Sequence, residues 1–439
     1  MQLAQQILFI LLVAVATGLF VRKARFIIRN IRMGRDETIT PDPRRWRNVL
    51  LMAFGQKRMF GKPFVALLHF AVYAGFIIIN IEILEIILDG IAGTHRLFST
   101  SLGNVYTFVI DFFEVLAFLV LSACVIFLIR RNIVRVRRLN MNELNGWPRS
   151  DANYILTFEI VLMTLFLLMN SADRALQLQS YGHYRDVGPF WISHLVAPLF
   201  QHLQPATLMA IERIAWWLHI AGIFVFLNYL PYSKHLHIIL AFPNTYFARL
   251  GSQGKMVNMP EIQQEVLYAM QPETVPADAA QEHHKFGAKD VVDLSWKNLL
   301  DAYTCTECGR CTEACPANQT GKLLSPRKIM MDTRDRMEEI GNALDNNKEA
   351  TADGKTLLHD YITPEELWAC TSCQACVQAC PVLIHPLSII NQLKRYLALE
   401  ESNQPAEWNG MYSNIENNFA PWKFSPDDRD HWAVELGEK

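Results

Sequence analysis

Five long apolar blocks in the first 230 residues constrain this chain of 439 residues more than any other feature. They run about Ile7–Val21, Phe64–Leu88, Val105–Leu128, Tyr154–Met169 and Ile211–Leu230, close to the ~20 residues that cross a bilayer. A segment in hydrocarbon must satisfy its own backbone hydrogen bonds, so such blocks predict membrane-spanning helices. The first has no basic run before it and no small-residue cleavage site after it, and is expected to remain as a helix.

The charges between the blocks set an orientation. Residues 22–63 carry twelve Lys or Arg and residues 130–149 carry six, whereas 89–104 and 171–209 carry one and two. Cationic loops stay on the cytoplasmic side. The N-terminus is therefore expected outside and everything after about residue 240 in the cytoplasm, on a bacterial inner membrane. Hydrophobic residues make up 51% and charged residues 19%, with a net charge of -2. No basic excess is present to neutralise phosphates, which excludes nucleic acid as a partner.

Eight of nine cysteines lie in two copies of C-x2-C-x2-C-x3-C-P, "CTECGRCTEACP" at 305–316 and "CTSCQACVQACP" at 370–381. In a reducing cytoplasm, clustered cysteines are metal ligands or catalytic thiols rather than disulfides. Zinc sites use two CxxC pairs per ion, so a third cysteine at the same gap is surplus, twice over. The run matches ferredoxin ligation, in which three cysteines hold one [4Fe–4S] cube and the fourth reaches the other. Cys305, Cys308, Cys311 and Cys380 would then hold one cluster, and Cys370, Cys373, Cys376 and Cys315 the other. Pro316 and Pro381 end each run by removing a donor and fixing φ.

The surroundings read as helices: "SWKNLLDAY", "SPRKIMMDTRDRMEEIGNAL", and "TPEELWAC", in which Thr363, Pro364 and Glu366 make a capping box. The 54 residues between Cys315 and Cys370 exceed a compact ferredoxin repeat. Residues 290–400 resemble the α-helical ferredoxin domains of fumarate reductase iron–sulfur subunits and heterodisulfide reductase C-type subunits. The expected fold class is all-α.

Histidines at membrane depth are functional candidates. His69 lies one turn into the second block, His219 in the outer half of the fifth, and His235 and His237 at its cytoplasmic end. On an unbroken helix His219 and His237, 18 residues apart, share a face about 27 Å apart, with His235 nearly opposite His219. Pro231 is expected to kink that helix. His69 and His237 fall at one depth, and two facing imidazoles can hold a b-type haem. Interhelical hydrogen bonding, or interfacial placement near Trp216 and Trp217, is the alternative for these histidines.

"LLHFAVYAGF" in the second block and "WLHIAG…LPYSKHLHII" in the fifth are similar to the respiratory nitrate reductase gamma-subunit family, over residues 1–250. The resemblance implies a five-span b-type cytochrome with two haems between the second and fifth helices. The chain departs from it at Ile79 and Asn80, where that family has a second histidine. One haem is expected at His69 and His237, and a second at His219 if His194 or His202 folds back as its partner.

Glu82, Glu85, Asp111 and Glu114 gather towards the outer face, as proton relays for a quinol or as solvated helix ends. Cys124 reads as a small buried hydrophobe. Residues 251–290 read as a linker, 291–400 as the dicluster domain, and 401–439 as an irregular tail whose tryptophans dock a partner. Cassette and tail resemble the front of membrane iron–sulfur oxidoreductases, in which a CCG domain follows. That domain, or a flavoprotein, is expected on a separate cytoplasmic subunit of a hetero-oligomeric complex. The expected function is an electron-transfer subunit joining that partner to membrane quinone. The rivals are a haem-free anchor for a ferredoxin domain and a component of a redox-driven ion pump.

Overall fold

The computed structural model describes residues 2–182, 184–252, 254–276, 285–346, 353–423, 425–428 and 430–437, and among them helices and turns account for the fold, with no strand. The main helices are α1 (Gln2–Ile31), α2 (Pro63–Ala92), α3 (Asn104–Asn132), α4 (Trp147–Leu178), α5 (Pro205–Tyr229), α6 (His237–Tyr246), α7 (Trp296–Thr304), α8 (Arg310–Ala314), α9 (Pro326–Asp345), α10 (Ala375–Ala379), α11 (Pro386–Leu399) and α12 (Ala406–Asn418).

Helices α1 to α5 are long and apolar enough to cross a membrane. Each outruns its apolar block because charged residues cap helix ends at the bilayer surface without ending the helix. They pack in order, with α1 closing back on α5. Outward they expose Leu11, Val15, Ile77, Leu84, Phe112, Phe118, Val161 and Val225, an apolar surface that calls for lipid. Inward, close approach depends on small residues. A Cβ on Gly75 of α2 would lie 2.3 Å from Val120 Cγ2 of α3.

One expectation fails in the second half. Residues 406–418 are helical rather than irregular, with Trp408, Tyr412 and Ile415 spaced four and three apart. Residues 260–270 within the expected linker also form a helix. Ala288 and Val291, either side of residue 290, belong to one core with α7, α9 and α11.

That core carries the helices read from the sequence, with the start read at Thr363 and two further caps that were not read. The Ser295 side chain accepts from Asn298 N at the start of α7, Ser325 accepts from Lys328 N at the start of α9, and Thr363 and Glu366 form their capping box. Arg336 of α9 is fully buried and bonds Asp290 at 3.0–3.2 Å, tying residue 290 to the middle of the domain.

The domain is seated on one end of the bundle. The last turns of α1 reach it through Lys23–Glu338 (2.8 Å), Arg29 Nη2 to Gly341 O (2.8 Å) and buried Asn30 to Tyr303 Oη (2.9 Å). Backbone bonds join Arg35 N to Leu294 O (2.8 Å) and Trp296 N to Arg35 O (3.0 Å). The 130–149 loop adds Glu143 against fully buried Arg327 (2.7 Å). Both strongly basic loops and the cysteine cassettes therefore share one end of the bundle.

Candidate iron–sulfur and histidine sites

Both cassettes follow one backbone path. Each turns through left-handed φ at the same two positions, Glu307 (53°) and Gly309 (73°) in the first, Ser372 (56°) and Gln374 (66°) in the second. Each then enters a single helical turn, α8 or α10. The turns curl three cysteines around a point, and the fourth lies beyond the short helix.

The fold brings the cysteines into two crossed quartets. Cys311 lies in the field of Cys305, Cys308 and Cys380, then of Cys376 from the other set, and Cys380 in that of Cys308 and Cys305. Cys376 lies in the field of Cys370, Cys315 and Cys373, and Cys315 in that of Cys370 and Cys373. A small cavity is lined by all four of the second set, closed by Leu324, Leu387 and Ile390. Burial, then the neighbouring thiols, push Cys376 up to about 12. Thiols so placed lose their protons only to a strongly cationic centre. Among the described residues no three His, Cys, Asp or Glu converge as ligands of one ion, whereas a cube takes each thiolate at a separate iron. Backbone N–H groups of Ser372 and Ile384 approach Cys370 Sγ (3.4 Å) and Cys380 Sγ (3.3 Å), as donors to cluster sulfurs do. The residues fit two [4Fe–4S] clusters.

The two quartets face different surroundings. Cys373 is exposed at the surface. The quartet with Cys380 faces the bundle, where Arg58 of the 22–63 loop donates to the carbonyls of Val377 (3.0 Å) and Cys380 (2.8 Å). Arg138 of the 130–149 loop donates to Cys308 O (2.7 Å). Sequence reasoning counted both arginines as topology signals and missed these bonds, which no local pattern announces.

Beneath this quartet lie three histidines. Helix α5 ends at Tyr229, and 3-10 turns at Leu230–Tyr232 and Lys234–Leu236 separate it from α6. The continuous helix through Pro231 is thus corrected. His237 opens a new helix, and the His235 ring is 5.6 Å from that of His237 instead of on the far side. His69 lies within reach of the charge of both His237 and Arg310. Its Nδ1 is 3.0 Å from Gln56 Oε1, and His237 Nδ1 is 3.1 Å from Lys234 O. An oxygen acceptor at Nδ1 places the proton there and leaves Nε2 as a free lone pair, the form a metal takes. His235 has aromatic walls instead, Phe226 at 5.5 Å and Phe76 at 6.4 Å.

His219 is buried on α5 with Nδ1 3.0 Å from Leu162 O and its ring 5.9 Å from Phe166. It is not brought near His194, which is exposed and turned to Phe190 O (3.0 Å), nor near exposed His202. The foldback partner expected for His219 is absent among the described residues, because both loop histidines stay at the surface.

The carboxylates at the opposite end are buried rather than solvated. Arg96 bonds Asp173 (2.7 Å) and Asn170 (2.9 Å), Asn170 bonds Glu114 (3.1 Å), and Tyr106 joins Arg96 (3.3 Å) to Glu85 (2.8 Å). Asp111 is buried nearby, and Glu82 Oε2 is buried without a hydrogen-bond partner. A cavity of about 700 Å³ adjoins this network, walled by Phe9, Trp216, Trp217, His95, Arg96 and Arg213.

An apolar five-helix bundle carrying two cysteine quartets on an all-helical domain defines the class as a membrane-bound iron–sulfur electron-transfer protein. Comparison with known proteins agrees with that class. Residues 304–384 match the 4Fe-4S dicluster domain family. The chain is similar to the probable iron-sulfur-binding oxidoreductase FadF of Bacillus subtilis (strain 168), 30% identical over 99% of this chain and 61% of that protein. It is also similar to the EtfAB:quinone oxidoreductase of Syntrophomonas wolfei, 28% identical over 88% of this chain and 53% of that protein. A shorter likeness, 35% over 26% of this chain and 56% of the relative, joins it to the C-type subunit of the ferredoxin/F(420)H(2)-dependent CoB-CoM heterodisulfide reductase of Methanosarcina acetivorans. The chain thus spans between half and two thirds of the two longer relatives. No solved structure matches it.

Proposed function

We propose that the protein is the membrane electron-transfer subunit of a quinone-linked oxidoreductase complex. It would take electrons from a cytoplasmic flavoprotein or CCG-domain iron–sulfur partner. The words EtfAB and quinone in one relative's name support that choice. The observation that carries the reading is the convergence of His69 and His237, each bonded to an oxygen at Nδ1, with His69 also within charge reach of Arg310, the residue before Cys311. They are the residues assigned to one haem b, with His235 as their neighbour. His219 is bonded at Nδ1 in the same way, but neither His194 nor His202 faces it among the described residues, so one haem is proposed. Bound, the clusters and haem would supply one-electron carriers between a soluble donor and the quinone.

The chain's own part is positional. Gln56 and Lys234 O hold the two imidazoles in one tautomer, and the cassette turns hold eight thiols in two sets. The cytoplasmic side of a bacterial inner membrane is assigned to this end because the arginine-rich loops lie there.

The test is a reduced-minus-oxidised visible spectrum with pyridine haemochrome quantitation on iron-replete protein. One b-type haem per chain is expected, lost in His69→Gln and in His237→Gln but retained in His219→Gln. No b-type absorbance would leave the haem-free anchor as the function. The unpartnered Glu82 oxygen favours the ion-pump reading specifically, and Glu82→Gln should then abolish pumping in proteoliposomes while electron transfer persists.

A further inference from the structure

The cations around the two quartets are unequal. At Cys305, Cys308, Cys311 and Cys380, Arg58 and Arg138 bond cassette carbonyls directly, and Arg310 donates to Arg58 O (3.1 Å). Arg334 (2.8 Å) and Lys234 both pair with buried Glu307, which precedes Cys308. These five cations face four carboxylates: Glu307, Asp335 at 3.1 Å from Arg334, Asp151 at 3.9 Å from Lys234, and the exposed Glu313, which pairs with Lys62 (2.8 Å) and lies 3.9 Å from Arg138; Arg58 and Arg310 bond backbone carbonyls only. Among the described residues the carbonyls of Cys315, Cys370, Cys373 and Cys376 receive one cation, Lys394 Nζ to Cys370 O at 2.5 Å, and Val377 O beside Cys376 takes Arg58.

Reducing a cluster adds one negative charge. Fixed cations in a poor dielectric stabilise that charge, and hydrogen bonds and net charge near the sulfurs are the protein's means of moving a potential. Water at exposed Cys373 favours reduction of its own cluster, but it solvates one thiolate face, whereas the arginines approach the other cluster from two loops. We infer that the chain grades the pair: the cluster facing the membrane bundle has the higher midpoint potential, and Arg58, Arg138 and Arg310 are positioning residues that hold it there. With both clusters bound, one electron would pass from the surface-facing cluster, oxidising it, to the bundle-facing one, reducing it. No bond or proton moves. The grading therefore drives electrons towards the membrane. It rests on the grouping of cysteines proposed above.

The experiment is a dithionite redox titration of the full-length protein in detergent, followed by electron paramagnetic resonance. Cys373→Ser and Cys308→Ser first identify the surface-facing and bundle-facing signals. The bundle-facing signal is expected to have the higher midpoint. Arg58→Gln should lower it by at least a tenfold change in electron partition, about 59 mV for a one-electron couple, and leave the other signal in place. Arg58→Lys should recover most of the shift. Arg310→Gln should move the same signal the same way, and it serves should Arg58→Gln lose iron. Equal or inverted midpoints in the parent protein, or no shift in either arginine variant, overturn the grading. A Cys308→Ser variant that perturbs the signal identified by Cys373→Ser overturns the grouping instead.

Discussion

The matching turns of the two cassettes make a reciprocal prediction about their second left-handed residue. Gly309 and Gln374 have nearly the same φ, 73° and 66°, yet their surroundings differ. A Cβ on Gly309 would lie 2.4 Å from Arg327 Nη1 and 2.9 Å from Arg138 O. Arg327 cannot yield cheaply, since it is fully buried and bonds Arg138 O (2.6 Å) and Glu143 (2.7 Å). Gly309→Ala therefore adds about 1 kcal/mol of left-handed strain. Disrupting a buried ion pair adds roughly 3–5 kcal/mol more, so the sum is about 4–6 kcal/mol. Gln374 already bears the strain, and its Oε1 is buried without a partner. Gln374→Gly should instead stabilise by about 1 kcal/mol, and Gln374→Ala should be near neutral. The assay is thermal loss of cluster absorbance in the intact protein. Gly309→Ala should lower the midpoint by well over 10 °C, on a scale of roughly 4–8 °C per kcal/mol for a domain near 100 residues. A Gly309→Ala loss of only about 1 kcal/mol would refute the packing argument and leave backbone strain as the cause.

Crossed ligation is tested most directly at the fourth cysteines. Cys380→Ser should abolish the signal that Cys308→Ser abolishes, although it lies in the other cassette, and Cys315→Ser should abolish that of Cys373; the opposite pairing sinks the crossing. A third prediction concerns pH. His385 caps α11 by accepting from Ser388 N at 3.0 Å, and burial, then Arg249, lowers its pKa from 6.5 to about 4. A depressed pKa means that the folded state favours neutral histidine, so its stabilisation is complete above about 6.5 and lost as pH falls towards 4. His385→Asn keeps a capping oxygen without the proton, and urea midpoints across that window should flatten in the variant; an unchanged slope removes His385 as the cause.

Much of the site was legible because its signals are local. Cysteine spacing and the Thr363/Glu366 box each depend on residues within a few positions. So do the five spans, since lipid demands a continuous apolar run. Residues 408–415 also carried a readable period, but Asn409, Gly410, Ser413 and Asn414 between the apolar positions masked it. What local patterns could not give is the pairing of distant loops. Arg58 meets Cys380 across 322 positions and Arg138 meets Cys308 across 170. Composition offers no hint of such contacts, because a loop arginine satisfies the positive-inside rule wherever its side chain points. The break after Tyr229 was half visible at Pro231, but its consequence was not. Ser233 accepts from His235 N (3.1 Å) and restarts the chain, turning His235 and His237 to one side.

The joint between the two halves follows from the same arginine-rich loops and gives the topology signal a second physical meaning. Asn30 is wholly buried between Tyr303 and Met337 O, and a Cβ on Gly341 would lie 2.4 Å from Asn30 Oδ1. A Cβ on Gly34 would meet Trp296 N at 2.6 Å, a backbone atom with no room to move. Contacts this close fix the cassettes against the bundle rather than tethering them by a flexible linker. Tunnelling between carriers needs fixed separations, and a loop that must be cationic for topology is already at the right surface to hold a cluster in place. The arginines of these loops are therefore the cations available to bind the nearer cysteine quartet and, on the proposed grading, to tune its cluster.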